Sequence, residues 1–469
     1  MGIIVPTGIA TDDTCKQFFS TLTAKDNLVS LFDFENRGHL FPALHTKTKF
    51  SLLTAAASEV SNARYCFLAT QTEQLRDANR VFVLTRHDLR LVNPNTSTCP
   101  LFRTRYDADI TKKIYRNVPV LYEESTKANP WMVKFMAMFH MSNDSGLFKV
   151  SAARGLVPLY EAKFVWHFDH RWATCEDGTV RECSEVEKCD PNFSVLPRYW
   201  VERDQAKTRT VQPQHRRWLI GFRMLTDSRN ERTAVFGLIP FCGVGNSFCI
   251  FDNWQHAATL TCCFLANVNS LVFDYITRQK VGGTNFNFFI VNQLPVLPPS
   301  SYASPDLDFI VPRVLELVFT AADMTSFAED TWRDSDERLR RLIATRTGNS
   351  HLKKTHDGDL PFAPFAWNPE KRHIIRAELD AYYAHLYKLS RTELEYILDP
   401  ARIFGDQFVG ETFRVLKENE TRTLGEFRTP PLVLAAFDRL AESPRFRDEM
   451  SRRESVLNLP EKTLASARN

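Results

Sequence analysis

Net charge is almost absent from this sequence. Lys and Arg total 59 against 56 Asp and Glu, leaving +3 over 469 residues. A basic bulk is thereby excluded, and any contact with a polyanion must come from a local face. Long apolar runs are missing too. The longest, Ala257 to Ile276, is interrupted by Asn267, Asn269 and Asp274, polar groups that are costly in a bilayer. The N-terminus has no basic stretch leading into an apolar one, so no secretory signal is visible. The ten cysteines are scattered, with only Cys262 and Cys263 adjacent, which in a long chain reads as reduced thiols and a cytoplasmic location. No internal repeat, G-x-S-x-G elbow, P-loop or H-E-x-x-H is present. Glu161-Ala162-Lys163 has the E-x-K spacing of metal-dependent nucleases without their upstream Pro-Asp. His167, His170, Cys175, Cys183 and Cys189 are not spaced as a zinc finger or ribbon, so no metal is expected.

What is present is the composition of a globular chain, 43% hydrophobic and 12% aromatic, long enough for two to four domains. Residues 1–125 read as alternating strands and helices, with short apolar runs at Leu28–Phe34, Phe50–Ala56, Tyr65–Ala69 and Val81–Leu84. Asp12 or Asp13 is positioned to cap a helix whose Phe18, Phe19 and Leu22 share a face. Gly2-Ile-Ile-Val-Pro would suit a buried strand. Residues 126–300 are dense in aromatics and punctuated by Gly, Pro and Asn, and Pro295, Pro298 and Pro299 close them as a stiff linker. Residues 301–469 are helical, with capping-box spacing at Ser390-Arg-Thr-Glu393, helical periodicity from Leu432 to Leu440 and a solvated, charge-alternating face at Arg333–Arg341.

Several stretches resemble a known family in the family's own order. Gly2-Ile-Ile-Val-Pro-Thr-Gly-Ile-Ala, Ser30-Leu-Phe-Asp-Phe-Glu-Asn-Arg, Leu40-Phe-Pro and Lys49-Phe-Ser-Leu-Leu resemble the last strands of the catalytic domain of adenine-specific DNA methyltransferases. The relevant group comprises type IIG restriction–modification enzymes and phage-defence methylases. Leu91-Val-Asn-Pro-Asn-Thr, Pro158-Leu-Tyr-Glu-Ala-Lys, Phe168-Asp-His-Arg, Arg232-Thr-Ala-Val, Ala266-Asn-Val-Asn-Ser-Leu and Lys280-Val-Gly-Gly-Thr-Asn resemble its target-recognition region. Trp367-Asn-Pro-Glu-Lys-Arg and Arg376-Ala-Glu-Leu-Asp-Ala resemble its helical tail. Ala162 stands where the family has Gly, which would strain a turn needing positive φ.

The resemblance implies an α/β fold: a partial Rossmann-like methyltransferase sheet (1–125), a mixed α/β target-recognition domain (126–300) and a helical C-terminal domain (301–469). It also implies that the chain begins after the family's two chemical motifs. One is the Gly-rich turn for S-adenosylmethionine. The other is an Asn or Asp followed by Pro-Pro and an aromatic, which accepts hydrogen bonds from the target amine. Asp190-Pro-Asn-Phe193 and Gly243-Val-Gly245 are poor substitutes and are decoys. The expectation is therefore the DNA-recognition half of a methylase. Its partners would be double-stranded DNA and a chain carrying the N-terminal half; S-adenosylmethionine would serve the complete enzyme and not bind this chain alone. A non-catalytic specificity subunit and a degenerate truncated methylase are the alternatives.

Phe41 matches the family position that stacks on an extruded adenine, where an aromatic wall returns part of the lost stacking; a core Phe is the alternative. Candidate DNA-recognition residues are Arg171, which could instead order its own loop, and Arg216, Arg217 and Arg223 around an apolar strand, which could instead protect a sheet edge. Lys280, Asn285 and Asn287 lie in a Gly-rich loop. An Asn can bond an adenine edge twice, or satisfy local backbone. Asn267, Asn269, Ser270, Asp274 and Arg278 read as buried hydrogen-bond organisers.

Overall fold

The computed structural model describes residues 1–213, 216–346, 360–405, 408 and 412–457. It is a mixed α/β structure with a helical C-terminal region. The first sheet has the order β1 (Gly2–Pro6), β3 (Lys49–Ala55), β2 (Leu28–Glu35), β4 (Arg64–Ala69), β5 (Phe82–Val83). Only β2 and β4 run parallel. β2, Leu-Val-Ser-Leu-Phe-Asp-Phe-Glu, is apolar on both faces and takes the centre, where both faces are covered. β1 does not occupy the buried position its composition suited. It lies at the sheet edge with Ile3 37% and Ile4 59% exposed.

The β2–β4 pairing contains an irregularity between Phe32 and Phe34, and Leu68 of β4 is left-handed at φ 54°. A left-handed leucine is strained and persists only where its surroundings hold it. The Asp33 carboxylate does so. It is fully buried, takes the Leu68 N–H at 3.1 Å and the Ser51 hydroxyl at 3.2 Å, and is bonded by the Thr7 hydroxyl. Burial pushes the Asp33 carboxyl up to about 6, against the pull of these donors and of Lys49.

Some local expectations change. Neither Asp12 nor Asp13 caps a helix through its side chain; Asp13 pairs with Lys16 at 2.8 Å, and the helix Lys16–Ala24 buries Phe19 but leaves Phe18 47% exposed. Neighbouring residues on a helix point about 100° apart, so one stripe cannot hold both. Ala162 opens a buried 3-10 turn and is not at positive φ. The charged stretch at 333–341 is two helices, Thr325–Arg333 and Glu337–Arg346.

Residues 126–300 carry a four-stranded antiparallel sheet (Phe236–Pro240, Trp218–Arg223, Phe248–Phe251, Phe135–Met136) and a three-stranded one (Trp200–Glu202, Leu156–Tyr160, Gly243–Val244). The proline segment at 295–299 is not a free linker. Pro295 bridges to Val120, the Val296 N–H donates to Pro119 O at 3.0 Å, and Trp131 Nε1 donates to Leu297 O at 2.9 Å. One main core accordingly runs from Ala10 to Phe437, through all three parts of the chain.

At its centre lie the helices Ala258–Val268 and Leu271–Arg278, bent by 52° and buried almost throughout. No single helix among the described residues is long and apolar enough to cross a membrane. The polar set on these helices organises its neighbours. Asn267 donates to Tyr387 Oη (2.7 Å) and accepts from Leu297 N (3.0 Å); Asn269 accepts from Phe236 N and donates to Phe236 O, both at 3.0 Å. Asp274 accepts from Thr233 N, Ala234 N and Arg278 Nε, and Ser270 caps the second helix.

Candidate nucleic-acid interface

Three parts of the chain meet around one cavity of about 490 Å³. The first part of the chain supplies Glu35 at the end of β2, Arg37 just past it, Lys49 at the start of β3, Leu68 of β4 and Arg80 shortly before β5. The middle region adds Ser228, Arg229 and Arg278. The helical region adds Phe408, Arg414 and Lys417. Eight of the lining residues are basic (Arg103 is the eighth) and one, Glu35, is acidic.

Most of these cations have a carboxylate. Arg37 pairs with Glu35 (2.8 Å), Arg229 with Asp227 (2.6 Å), Arg278 with Asp274 (2.8 Å), Arg414 with Glu418 (3.0 Å) and Lys417 with Asp399 (3.3 Å). The Arg229 contact holds the Asp227 carboxyl below its usual range. Arg278 also donates to the carbonyls of Ser228, Asn230, Glu231 and Thr412, so it braces the cavity wall. Lys49 and Arg80 differ. Among the described residues neither has an ion-pair partner: Lys49 donates to Gly282 O at 3.1 Å, and Arg80, 5% exposed, donates through one nitrogen to Phe67 O (3.0 Å) and Leu68 O (3.1 Å).

Phe41 follows the cavity-lining Arg37 by four residues and is not itself part of the lining. The Asn36 side chain ties its loop, donating to Phe41 O and Leu44 O and accepting from Phe41 N, all at 2.9 Å. The ring rests edge-on against Phe50 at 4.9 Å and is 38% exposed. It is thus neither a core side chain nor a loose one: one edge is packed and the rest is presented.

The loop after the second central helix passes close by, since Gly282 O is the acceptor for Lys49. Asn285 and Asn287 are exposed, and neither side chain has a hydrogen-bond partner among the described residues. Lys280 of the same loop points inward. Its ammonium donates to Val92 O, Asn93 Oδ1 and Gln293 O at 2.6–2.8 Å and lies 4.6 Å over the Tyr115 ring, and burial pushes it far below its usual value. That lysine fastens the loop and is not presented to a partner.

The arginines need similar correction. Arg171 is fully buried and donates to Asp190 O and Lys188 O at 2.8 Å and to Phe193 O and Thr320 O at 3.1 Å. It cannot reach a phosphate or a base. Its neighbour Asp169 pairs instead with Lys188 at 2.9 Å. Arg216, 7% exposed, donates to the carbonyls of Trp254 and His256. Arg223 donates to Val165 O at 2.7 Å and covers Trp166, and burial lowers it to about 10. Arg217 remains exposed, one residue before the strand and beside a different cavity with Lys207 and Thr210.

The rejected motifs have structural roles. The Asp190 and Phe193 carbonyls receive Arg171. A Cβ on Gly243 would come within 2.4 Å of Val201 Cγ2, so that glycine serves close packing of strands. No group of three or more metal-ligating side chains gathers among the described residues.

No family profile matches the sequence, and no curated protein is similar to it. Among solved structures the chain is similar to the type IIG restriction endonuclease BpuSI, at 12% identity and a TM-score of 0.26, over 74% of this chain and 47% of that one. The chain therefore spans about half the length of that endonuclease. A likeness at that score carries no argument about this chain's activity.

Proposed function

We propose that this chain is the DNA-recognition half of an adenine-specific DNA methyltransferase of a restriction–modification or phage-defence system, acting in the cytoplasm. The observation that carries the reading is Phe41. A ring fixed by its loop yet 38% exposed suits stacking on a base extruded from a duplex. Asn285 and Asn287, exposed and unengaged in the loop whose Gly282 meets Lys49, suit the reading of base edges.

The methyl donor belongs to another chain in this reading. Gly243 and Gly245, the G-x-G pair of the sequence, are crowded by Val201 and Met141, which supports a donor site on that other chain. The exposed apolar edge of β1, with Ile3 and Ile4, and the outward Phe18 suit burial against the chain that would hold the donor.

Fluorescence anisotropy of labelled duplex DNA tests the reading. The chain is expected to bind, and the paired substitution Asn285→Ala, Asn287→Ala to lose preference among duplex sequences while keeping affinity for mixed competitor DNA. Equal loss on every sequence would contradict the assigned roles. Transfer of labelled methyl groups to DNA by this chain alone would overturn the division into halves.

A further inference from the structure

The basic cavity has features that presentation of a base does not require. Eight cationic side chains converge on about 490 Å³ from positions 37 to 417, against one lining carboxylate. Like charges gathered this closely repel one another unless an anion joins them. Five are matched by carboxylates. Two, Lys49 and Arg80, are not, and Arg80 is the telling one. The residue is 95% buried, its Nε has no hydrogen-bond partner, and its engaged nitrogen donates to two carbonyls, with the neutral Cys66 thiol close by. A buried charge without a counter-charge is unfavourable unless a ligand supplies it.

A neighbouring recess carries a second orphan. The recess, of about 30 Å³, shares Lys49, Leu68 and Arg278 with the cavity. Gln279, 6% exposed, also lines it; its Nε2 has no acceptor while its Oε1 takes the Thr111 hydroxyl at 2.8 Å. Two buried donors of independent origin thus line neighbouring hollows, Arg80 the cavity and Gln279 the recess, which have Lys49, Leu68 and Arg278 in common. The acids nearby are engaged: Asp107 accepts from Tyr275 and Tyr396 hydroxyls and two backbone N–H groups, and Asp33 holds Leu68, although Lys49 lies near enough to act on both Asp33 and Asp227.

We propose that this cavity is a phosphate-binding site, in which Lys49 and Arg80 meet the phosphate charge and the Gln279 amide donates from the neighbouring recess. A phosphate offers several acceptor oxygens and a charge of −1 to −2, matching two unpaired cations and a neutral donor. The wall is held in advance by the Asp33–Leu68 contact and by Arg278, so the site need not rearrange to receive it. The phosphate can belong to a DNA backbone, which deepens the reading above, or to a free nucleotide, which stands without it.

Calorimetric titration of the full chain with inorganic phosphate, ATP and a 12-base-pair duplex, each at low and moderate salt, tests this. Lys49→Gln is the main variant, since Lys49 is only half-buried; Arg80→Gln removes two carbonyl contacts and is read alongside a melting curve. Arg341→Gln, on an exposed helix face, is the control. At least one ligand is expected to bind, with affinity falling tenfold or more in Lys49→Gln at unchanged melting temperature and unchanged in Arg341→Gln. Binding of phosphate or ATP assigns a free ligand; binding of the duplex alone assigns the backbone. No binding of any ligand, or equal binding by Lys49→Gln and Arg341→Gln, overturns the site.

Discussion

Replacing Arg171 with methionine separates a structural arginine from a DNA-reading one. The guanidinium is fully buried and gives hydrogen bonds to four carbonyls at 2.8–3.1 Å, those of Lys188, Asp190, Phe193 and Thr320. These draw the 187–193 turn onto the segment leading to the C-terminal helices. Methionine fills much of the volume but leaves the acceptors unpaired, at about 1 kcal/mol each at the low end for buried polar groups. The expected loss is about 4 kcal/mol, a large share of the ~5–15 kcal/mol that holds a domain together. Arg171→Lys keeps the charge with fewer donors and recovers part of it. Urea unfolding followed by tryptophan fluorescence measures both. Duplex binding by folded protein is expected to stay at the wild-type level. Unfolding of Arg171→Met at the wild-type midpoint, together with lost DNA affinity, would refute the assignment.

Three further outcomes follow from the same contacts. Phe41→Ala costs about 1 kcal/mol or less in thermal unfolding, because the ring is partly exposed and makes one edge contact, whereas Phe19→Ala, at 0% exposure, costs about 3–5 kcal/mol; equal costs would return Phe41 to the core. Asn269→Ala, which strands both backbone groups of Phe236, costs about 2–4 kcal/mol, and a neutral result in urea would show the pair to be dispensable. Burial raises Asp33 and Asp380 from 3.8 to about 6, so the folded chain keeps protons that the unfolded chain has released. Each contributes stability that is full below about pH 4, falls as pH rises to 6 and is gone above it, about 3 kcal/mol per group. Asp33→Asn removes its part of that slope; an unchanged slope between pH 4 and 6 would show that the group ionises as freely as in the unfolded chain.

The strands β2, β3 and β4 were legible because short, β-branched and aromatic runs have few other uses. The polar set from Asn267 to Arg278 was legible for a related reason: polar groups inside an apolar helical pattern must find partners in the core. The arginines were not. Nothing in Phe168-Asp-His-Arg171 shows that Asp169 turns to Lys188 while Arg171 turns to carbonyls 17 to 149 positions away. Local sequence names an arginine's neighbours, and tertiary packing decides its partners. The basic cavity was hidden likewise, although Arg37 and Lys49 lay within stretches that carried the family resemblance. Its lining is drawn from residues 35 to 417, and a net charge of +3 gives no sign of it. Edge placement of β1 depends on pairing, which an apolar run does not encode.

The central claim is that this chain reads duplex DNA by sequence. Selection of bound duplexes from a random library by the purified chain at moderate salt, followed by sequencing, tests it most directly. The account expects one short adenine-containing site to be enriched, with enrichment reduced by the Asn285→Ala, Asn287→Ala pair. Recovery of the library unchanged, with binding that only falls as salt rises, would contradict it.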